Sequence, residues 1–193
     1  MIGRTLLAFA CLAPLAIAQT PVSGKLIPVG GPTICQQGET HLLECVPGLY
    51  LKSSSIDLTR WENQIVSITG NEIGVTCRVW DVTSIQAANV TLEWSGNPVL
   101  GGSIQFDLCL PNVGGSYQLF AAKDYGFSPQ PPMGTYLLGS PTLLVASGNA
   151  MPCDSFARTI PNNPAFQGQR VYLQALGTHM MAEYSNAVCF TIQ

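Results

Sequence analysis

The chain has 193 residues and a formal net charge of −3, and only 10% of its residues are charged. Its lysines and arginines are scattered singly. This pattern argues against binding to nucleic acid or to an anionic membrane surface, because both require clustered positive charge. Charged residues make up about 25% of a typical soluble domain. The lower value here is more typical of an extracellular β-protein than of a cytosolic helical one.

The N-terminus has the three parts of a secretory signal peptide. "MIGR" carries one positive charge, "TLLAFACLAPLAIA" is apolar, and Ala16-Ile17-Ala18 fits the small-x-small cleavage rule. We therefore predict that residues 1–18 are removed and that the protein is secreted, periplasmic or held at the cell surface. Lipid attachment at Cys11 is an alternative, which the bulky Phe9 and the continuing apolar run disfavour. No second long apolar run follows, so we expect no transmembrane segment.

Two segments follow the predicted cleavage site. Residues 19–33 contain three prolines and three glycines, which predicts a linker or an extended arm. Residues 34–87 predict a small β-domain with two short strands around the turn dipeptide Pro47-Gly48 and two more in "QIVSITGNEIGVTCRVWDVTSIQ". Between these strand pairs, "IDLTRWEN" predicts one helical turn that Asp57 caps.

Residues 88–193 alternate short strand candidates with turns rich in glycine and proline. The candidates are "NVTLEWS", "SIQFDLCL", "SYQLFAAKD", "PTLLVASG", "RVYLQALG" and "NAVCFTIQ". No stretch shows the apolar spacing of a helix over ten or more residues. The prediction is therefore an all-β protein, in which a small OB-like barrel at residues 34–87 is followed by an antiparallel β-sandwich at residues 88–193.

Both pieces resemble domains of exported bacterial proteins. The first resembles a small secreted OB-like barrel through "DLTRWENQIVSITGNEIGVTCRVWDVTSI" at residues 57–85, with Trp61 where an aromatic is expected. The second resembles a β-domain in exported proteins of planctomycete-type bacteria. It shares "GSIQFDLCLP", "LLGSPTLLVAS", "IPNNPAFQGQRVYLQA" and "SNAVCFTI" in that order. The resemblance implies secretion and this fold in a family of unknown function, without a catalytic motif.

An even number of cysteines remains after the predicted cleavage. They are Cys35, Cys45, Cys77, Cys109, Cys153 and Cys189. In an exported chain this indicates disulfides, and the smallest spacing, ten residues, does not suit a metal site.

Six cysteines allow 15 connectivities, and strand periodicity favours one pairing. If the strands around Cys109 and Cys189 are antiparallel neighbours in one sheet, both sulfurs project from the same side and can meet. Cys45 and Cys77 flank the strands that should close the barrel, so we expect them to pair. Cys35 and Cys153 would then join the two pieces.

No catalytic motif stands out in the sequence. The histidines are His41 and His179, and a Ser185-His179-Glu183 triad is conceivable in the "GTHMMAEYSN" segment. An exposed loop histidine explains the same residues more simply. The acidic residues show no pattern that marks a glycosidase carboxylate pair. We expect neither enzyme activity nor a cofactor.

Calcium is the one metal that the sequence leaves open. Asp107, Asp124 and Asp154 flank loops of the second piece, and oxygen ligands from loops suit this ion. No D-x-D-x-D-G run occurs, so the favoured prediction is that the protein needs no metal.

The loop "YGFSPQPPMGTY" is the first choice for a contact surface. Its prolines would hold Tyr125, Phe127, Met133 and Tyr136 in place, and Trp61 is a further candidate. The predicted function is an exported, non-enzymatic binding or structural protein whose partner is a protein or glycan at the cell surface. A polysaccharide-binding module and a secreted hydrolase with an unrecognised site are the alternatives.

Overall fold

A computed structural model describes residues 19–31, 33, 35–74, 77–111 and 115–193. The predicted signal peptide, including Cys11, lies outside the described residues. The described residues confirm the all-β fold, with a closed five-stranded barrel followed by a sandwich of two antiparallel sheets.

The barrel uses the first five strands in the order β1-β2-β3-β5-β4. The strands are β1 (Val22–Pro28), β2 (His41–Leu43), β3 (Leu49–Lys52), β4 (Ile65–Glu72) and β5 (Arg78–Ala87). All neighbours are antiparallel except β3 and β5, which are parallel. A 3₁₀ turn at Leu58–Trp61 joins β3 to β4 and adds Leu58 to the barrel core. The Asp57 carboxylate accepts a hydrogen bond from the Thr59 backbone N–H, which confirms the predicted cap.

The prediction of an arm at residues 19–33 is wrong over residues 22–28. These residues form β1, which pairs with both β2 and β4 and closes the barrel. Val22 and Leu26 are fully buried. Gly24 is required by packing, because a Cβ there would lie 2.7 Å from the Leu43 Cβ. Gly24, one of the glycines that suggested a linker, therefore lies within a strand. Its lack of a side chain lets Leu43 of β2 pack closely against it.

The sandwich contains a four-stranded sheet in the order β11-β8-β13-β14 and a three-stranded sheet in the order β12-β7-β6. A hairpin, β9–β10, leaves the sandwich. The strands are β6 (Thr91–Gly96), β7 (Ser103–Cys109), β8 (Gly115–Ala122), β9 (Tyr125–Gln130), β10 (Gly134–Leu138), β11 (Leu143–Ala150), β12 (Cys153–Thr159), β13 (Arg170–Thr178) and β14 (Ala182–Thr191). A second 3₁₀ turn spans Pro164–Phe166.

Side chains join the edges of the two sheets on both sides of the sandwich. On one side, the buried Asn186 of β14 accepts from the Leu92 N–H and donates to the Leu92 carbonyl of β6, both at 2.8 Å. On the other side, the Arg158 Nε of β12 donates to the Val145 carbonyl of β11 at 3.3 Å. We call the line where two edge strands adjoin a seam. At both seams, β6 with β14 and β11 with β12, a side-chain hydrogen bond joins the strands in place of a backbone ladder.

The hairpin β9–β10 contains the segment that the sequence predicted as a loop, and it packs on the barrel. Leu137 is fully buried in the barrel core, and the Thr135 hydroxyl donates to the Pro21 carbonyl at 2.9 Å. Gln174 of β13 fixes the hairpin from the sandwich side. Its side chain accepts from the Leu137 N–H at 2.8 Å and donates to the Thr135 carbonyl at 3.0 Å. The hairpin therefore lies between the barrel and the sandwich and contacts both.

The structure pairs the cysteines differently from the prediction. The disulfides are Cys35–Cys77, Cys45–Cys189 and Cys109–Cys153. The expected Cys109–Cys189 bond is wrong because β7 and β14 belong to opposite sheets. Cys109 instead stands directly opposite Cys153 on β12.

The other two expected pairs, Cys45–Cys77 and Cys35–Cys153, are wrong for a related reason. The Cys35–Cys77 bond lies wholly within the barrel domain, where it ties the β1–β2 loop to the β4–β5 loop. The bond between the two domains uses Cys45 in the β2–β3 turn and Cys189 on β14. Three disulfides are compatible with an extracellular or periplasmic protein. Over the described part of the chain, no helix has both the length and the apolar character to cross a membrane.

Candidate functional site

The sandwich contains an apolar cleft of about 470 Å³ between its two sheets. Its walls come from both sheets. Residues that line it include Ile104, Phe106 and Ile160 on the side of the three-stranded sheet, and Ala121, Leu173 and Phe190 on the four-stranded sheet. They lie near the end of the sandwich where β8, β12 and β14 finish. The volume is within the range of small-molecule sites, about 300–1,000 Å³.

The two ends of the sandwich are packed differently. At the far end, Leu110 is 3% exposed and fills the space between the sheets. A Cβ added at Gly115 or Gly177 would lie 2.3 or 2.5 Å from its side chain. At the cleft end, the short side chain of Ala121 leaves space, and Leu143 is 69% exposed at the mouth. The cleft therefore lies at the less tightly packed of the two ends.

Among the described residues that line the cleft, the two charged side chains are both basic. Lys123 follows the end of β8 and is exposed, and Arg158 lies on β12. The Arg158 guanidinium carbon lies 5.2 Å from the centre of the Phe156 ring, which helps to fix it. Ion pairs among the described residues involve neither of these two cations.

The lining of the cleft is almost wholly apolar. Within the described residues, the lining has no carboxylate, histidine or cysteine. An apolar wall with a few polar groups at its mouth is the usual composition of a small-molecule site.

Two of the predicted contact residues, Tyr125 and Phe127, lie between the hairpin and the barrel. Phe127 packs edge-on against Trp80 with ring centres 6.1 Å apart, and Arg78 lies 4.3 Å above the Phe127 ring. Burial raises the pKa of Tyr125 to about 12, and its hydroxyl has no hydrogen-bond partner among the described residues.

The other three predicted contact residues are also partly buried, away from the cleft. Tyr136 packs against Tyr184 with ring centres 5.2 Å apart, and the Met133 carbonyl accepts from the Tyr184 N–H. Trp61 packs against the barrel core. Met133, Tyr136 and Trp61 therefore do not line the cleft, and neither do Tyr125 and Phe127.

The conceivable triad is not assembled. Ser185 is fully buried, and its hydroxyl accepts from the Ala175 N–H and donates to the Asn186 carbonyl. Neither partner is His179. Glu183 accepts a hydrogen bond from Asn89 at 3.1 Å. Ser185 is thus a structural residue that links β13 to β14.

The three aspartates considered for calcium lie apart. Asp107 accepts from the Ser155 hydroxyl, whereas Asp154 accepts from the Tyr117 hydroxyl. Because Asp107 and Asp154 occupy successive cross-strand pairs of β7 and β12, they project from opposite faces of that sheet. Asp124 follows β8 in the other sheet. In the described residues, no three side chains among histidine, cysteine, aspartate and glutamate could together hold a metal ion.

The cleft was not among the sites predicted from the sequence. Residues 120–123, "FAAK", place small side chains and a cation at the end of a strand, and this was the available signal. Strand periodicity shows which side chains face inward. It does not show whether the facing sheet fills the space opposite a small residue.

Comparisons with known proteins show little similarity. No protein-family model matches the sequence, and no curated protein matches it. Among solved structures, the chain is similar to a superoxide reductase (neelaredoxin) from Ignicoccus hospitalis. The identity is 11% and the TM-score 0.30, over 55% of this chain and 81% of that one. A variant of the same enzyme gives 12% identity and a TM-score of 0.28, over 55% and 82% of the two chains. Similarity at this level supports no statement about function.

Proposed function

We propose that this is an exported, non-enzymatic binding protein whose sandwich cleft holds an apolar small molecule. The observation that supports this most is the apolar cleft of about 470 Å³ at one end of a sandwich whose other end Leu110 fills. A protein that used the sandwich only as a scaffold would gain stability by covering this apolar wall, because apolar surface removed from water contributes about 25 cal/mol per Å².

The proposed ligand binds mainly by burying hydrocarbon. Each buried methylene contributes about 0.8 kcal/mol, which corresponds to roughly fourfold in the dissociation constant. Affinity should therefore rise steeply with chain length until the cleft is full, and then level off.

Binding can be measured on protein purified from the periplasm of a bacterial host that expresses the full chain. N-phenyl-1-naphthylamine, a neutral probe that fluoresces in apolar sites, should bind to one site. Octanol and decanol should displace it, with decanol about 15-fold tighter because of its two additional methylenes.

Two matched variants locate the site. Ala121→Trp fills the cleft and should abolish probe binding. Ala157→Trp places the same side chain at an exposed position on β12, outside the lining, and should leave binding unchanged. Absence of probe binding to the native protein, or equal binding by both variants, would contradict the proposal.

Export is tested separately by the mass of the secreted protein. Loss of residues 1–18 is expected, which leaves Gln19 as the first residue. A mass that includes lipid on Cys11 would contradict this cleavage and would place the protein at a membrane surface.

A further inference from the structure

We propose that the ligand of the cleft is a single-chain amphiphile with a carboxylate head, which binds at the rim beside Lys123 and Arg158. This inference rests on the proposed function and adds the chemical class of the ligand. The observation behind it is charge: the described lining residues include two cations and no anion, around a wall that is otherwise almost wholly apolar.

Arg158 is held in place with part of its guanidinium group unused. Nε donates to the Val145 carbonyl at 3.3 Å and Nη1 to the Ala157 carbonyl at 3.0 Å. For the described residues, no hydrogen bond of Nη2 is found. Since this group is planar and permanently charged, its remaining N–H groups suit a carboxylate oxygen.

Lys123 supplies the second positive charge from a different element. It lies two residues beyond Ala121, which lines the cleft, and its side chain is exposed. Its sequence neighbour Asp124 is not among the lining residues. Because no ion pair among the described residues involves Lys123, this flexible side chain at the mouth can reach an anionic head.

This arrangement predicts discrimination between head groups on the same hydrocarbon chain. A carboxylate gains charge-assisted hydrogen bonds that an alcohol makes only weakly, and a quaternary ammonium is repelled. Dodecanoate, dodecanol and dodecyltrimethylammonium share one chain length, so differences among them isolate the head. One additional bond to a charged group corresponds to roughly tenfold in affinity.

The experiment measures displacement of N-phenyl-1-naphthylamine at neutral pH, with the two ionic amphiphiles below their micelle concentrations and dodecanol below its solubility limit. Dodecanoate should bind about tenfold more tightly than dodecanol, and the ammonium compound more weakly than either. The advantage of dodecanoate should shrink at high salt, because the rim is exposed.

The variant Lys123→Met should reduce the affinity for dodecanoate severalfold and leave that for dodecanol unchanged. Arg158→Met should do the same, provided that the seam between β11 and β12 stays closed, which unchanged dodecanol binding would show. Arg60→Met is the matched control, because Arg60 is exposed on the barrel, where its side chain is 80% accessible. It should change neither affinity.

The outcomes separate this inference from the proposed function. Equal binding of dodecanoate and dodecanol would overturn the carboxylate assignment and leave an apolar binding site. Absence of probe binding would remove both. Cosedimentation with phosphatidylglycerol vesicles, lost in Lys123→Met, would assign the rim to a membrane lipid and overturn the free carboxylate as ligand.

Discussion

Removal of the disulfide between Cys45 and Cys189 should destabilise the protein more than removal of either of the others. The bond closes a loop with a sequence separation of 144 residues, from the β2–β3 turn of the barrel to the last strand of the sandwich. The chain-entropy model gives about 5 kcal/mol for this loop at 25 °C. For the pairs Cys35–Cys77 and Cys109–Cys153, with separations of 42 and 44, it gives about 4 kcal/mol each.

Packing reduces the dependence of β14 on this bond. Ala187 belongs to the barrel core and Val188 to the sandwich core, so the last strand contacts both domains without the disulfide. We therefore expect the variant Cys45→Ala/Cys189→Ala to fold. Its free energy of unfolding should fall by a few kcal/mol, with about 5 kcal/mol as the upper limit.

Urea denaturation followed by tryptophan fluorescence measures the effect. Trp61 and Trp80 report on the barrel, and Trp94, which packs 4.9 Å from Phe190 between ring centres, reports on the sandwich. The matched control is Cys109→Ala/Cys153→Ala, which removes a bond within one sheet. A loss below about 1 kcal/mol for the interdomain pair, or a larger loss for the control, would refute the reasoning from loop length.

Three further outcomes are expected. Asn186→Ala should cost about 3 kcal/mol in urea denaturation, because it leaves the buried N–H and carbonyl of Leu92 unpaired; a negligible loss would contradict the bridging role. Tyr125→Phe should leave stability at pH 7 nearly unchanged, since the buried hydroxyl has no partner among the described residues. Because the folded pKa of Tyr125 is raised from 10.0 to about 12, the stability that this residue contributes is present below pH 10 and is lost as the pH rises towards 12. Tyr125→Phe should therefore unfold less readily than the native protein between pH 10 and about 12. Equal stability of the two proteins in that range would contradict this prediction. A chelator should leave the melting temperature unchanged, and a fall of several degrees would show that the protein binds a stabilising metal ion.

The sequence by itself determined the features that depend on local patterns. Alternating apolar residues predicted the all-β fold, and Asp57 predicted the cap of the short turn before β4. These features depend on side chains a few residues apart, where backbone geometry fixes which atoms can meet.

Only the tertiary structure decided which strands face one another, and this fixed the disulfides, the place of β1 and the cleft. Periodicity predicted that Cys109 and Cys189 each lie on the strand face opposite the apolar side chains, but β7 and β14 lie in different sheets, so the two sulfurs do not meet. Likewise, nothing near Ala121 in the sequence shows that the facing sheet leaves the space open. Disulfides and cavities depend on contacts between residues far apart in the chain. Such contacts are set by how whole sheets pack, so the local pattern of any one strand is compatible with several arrangements.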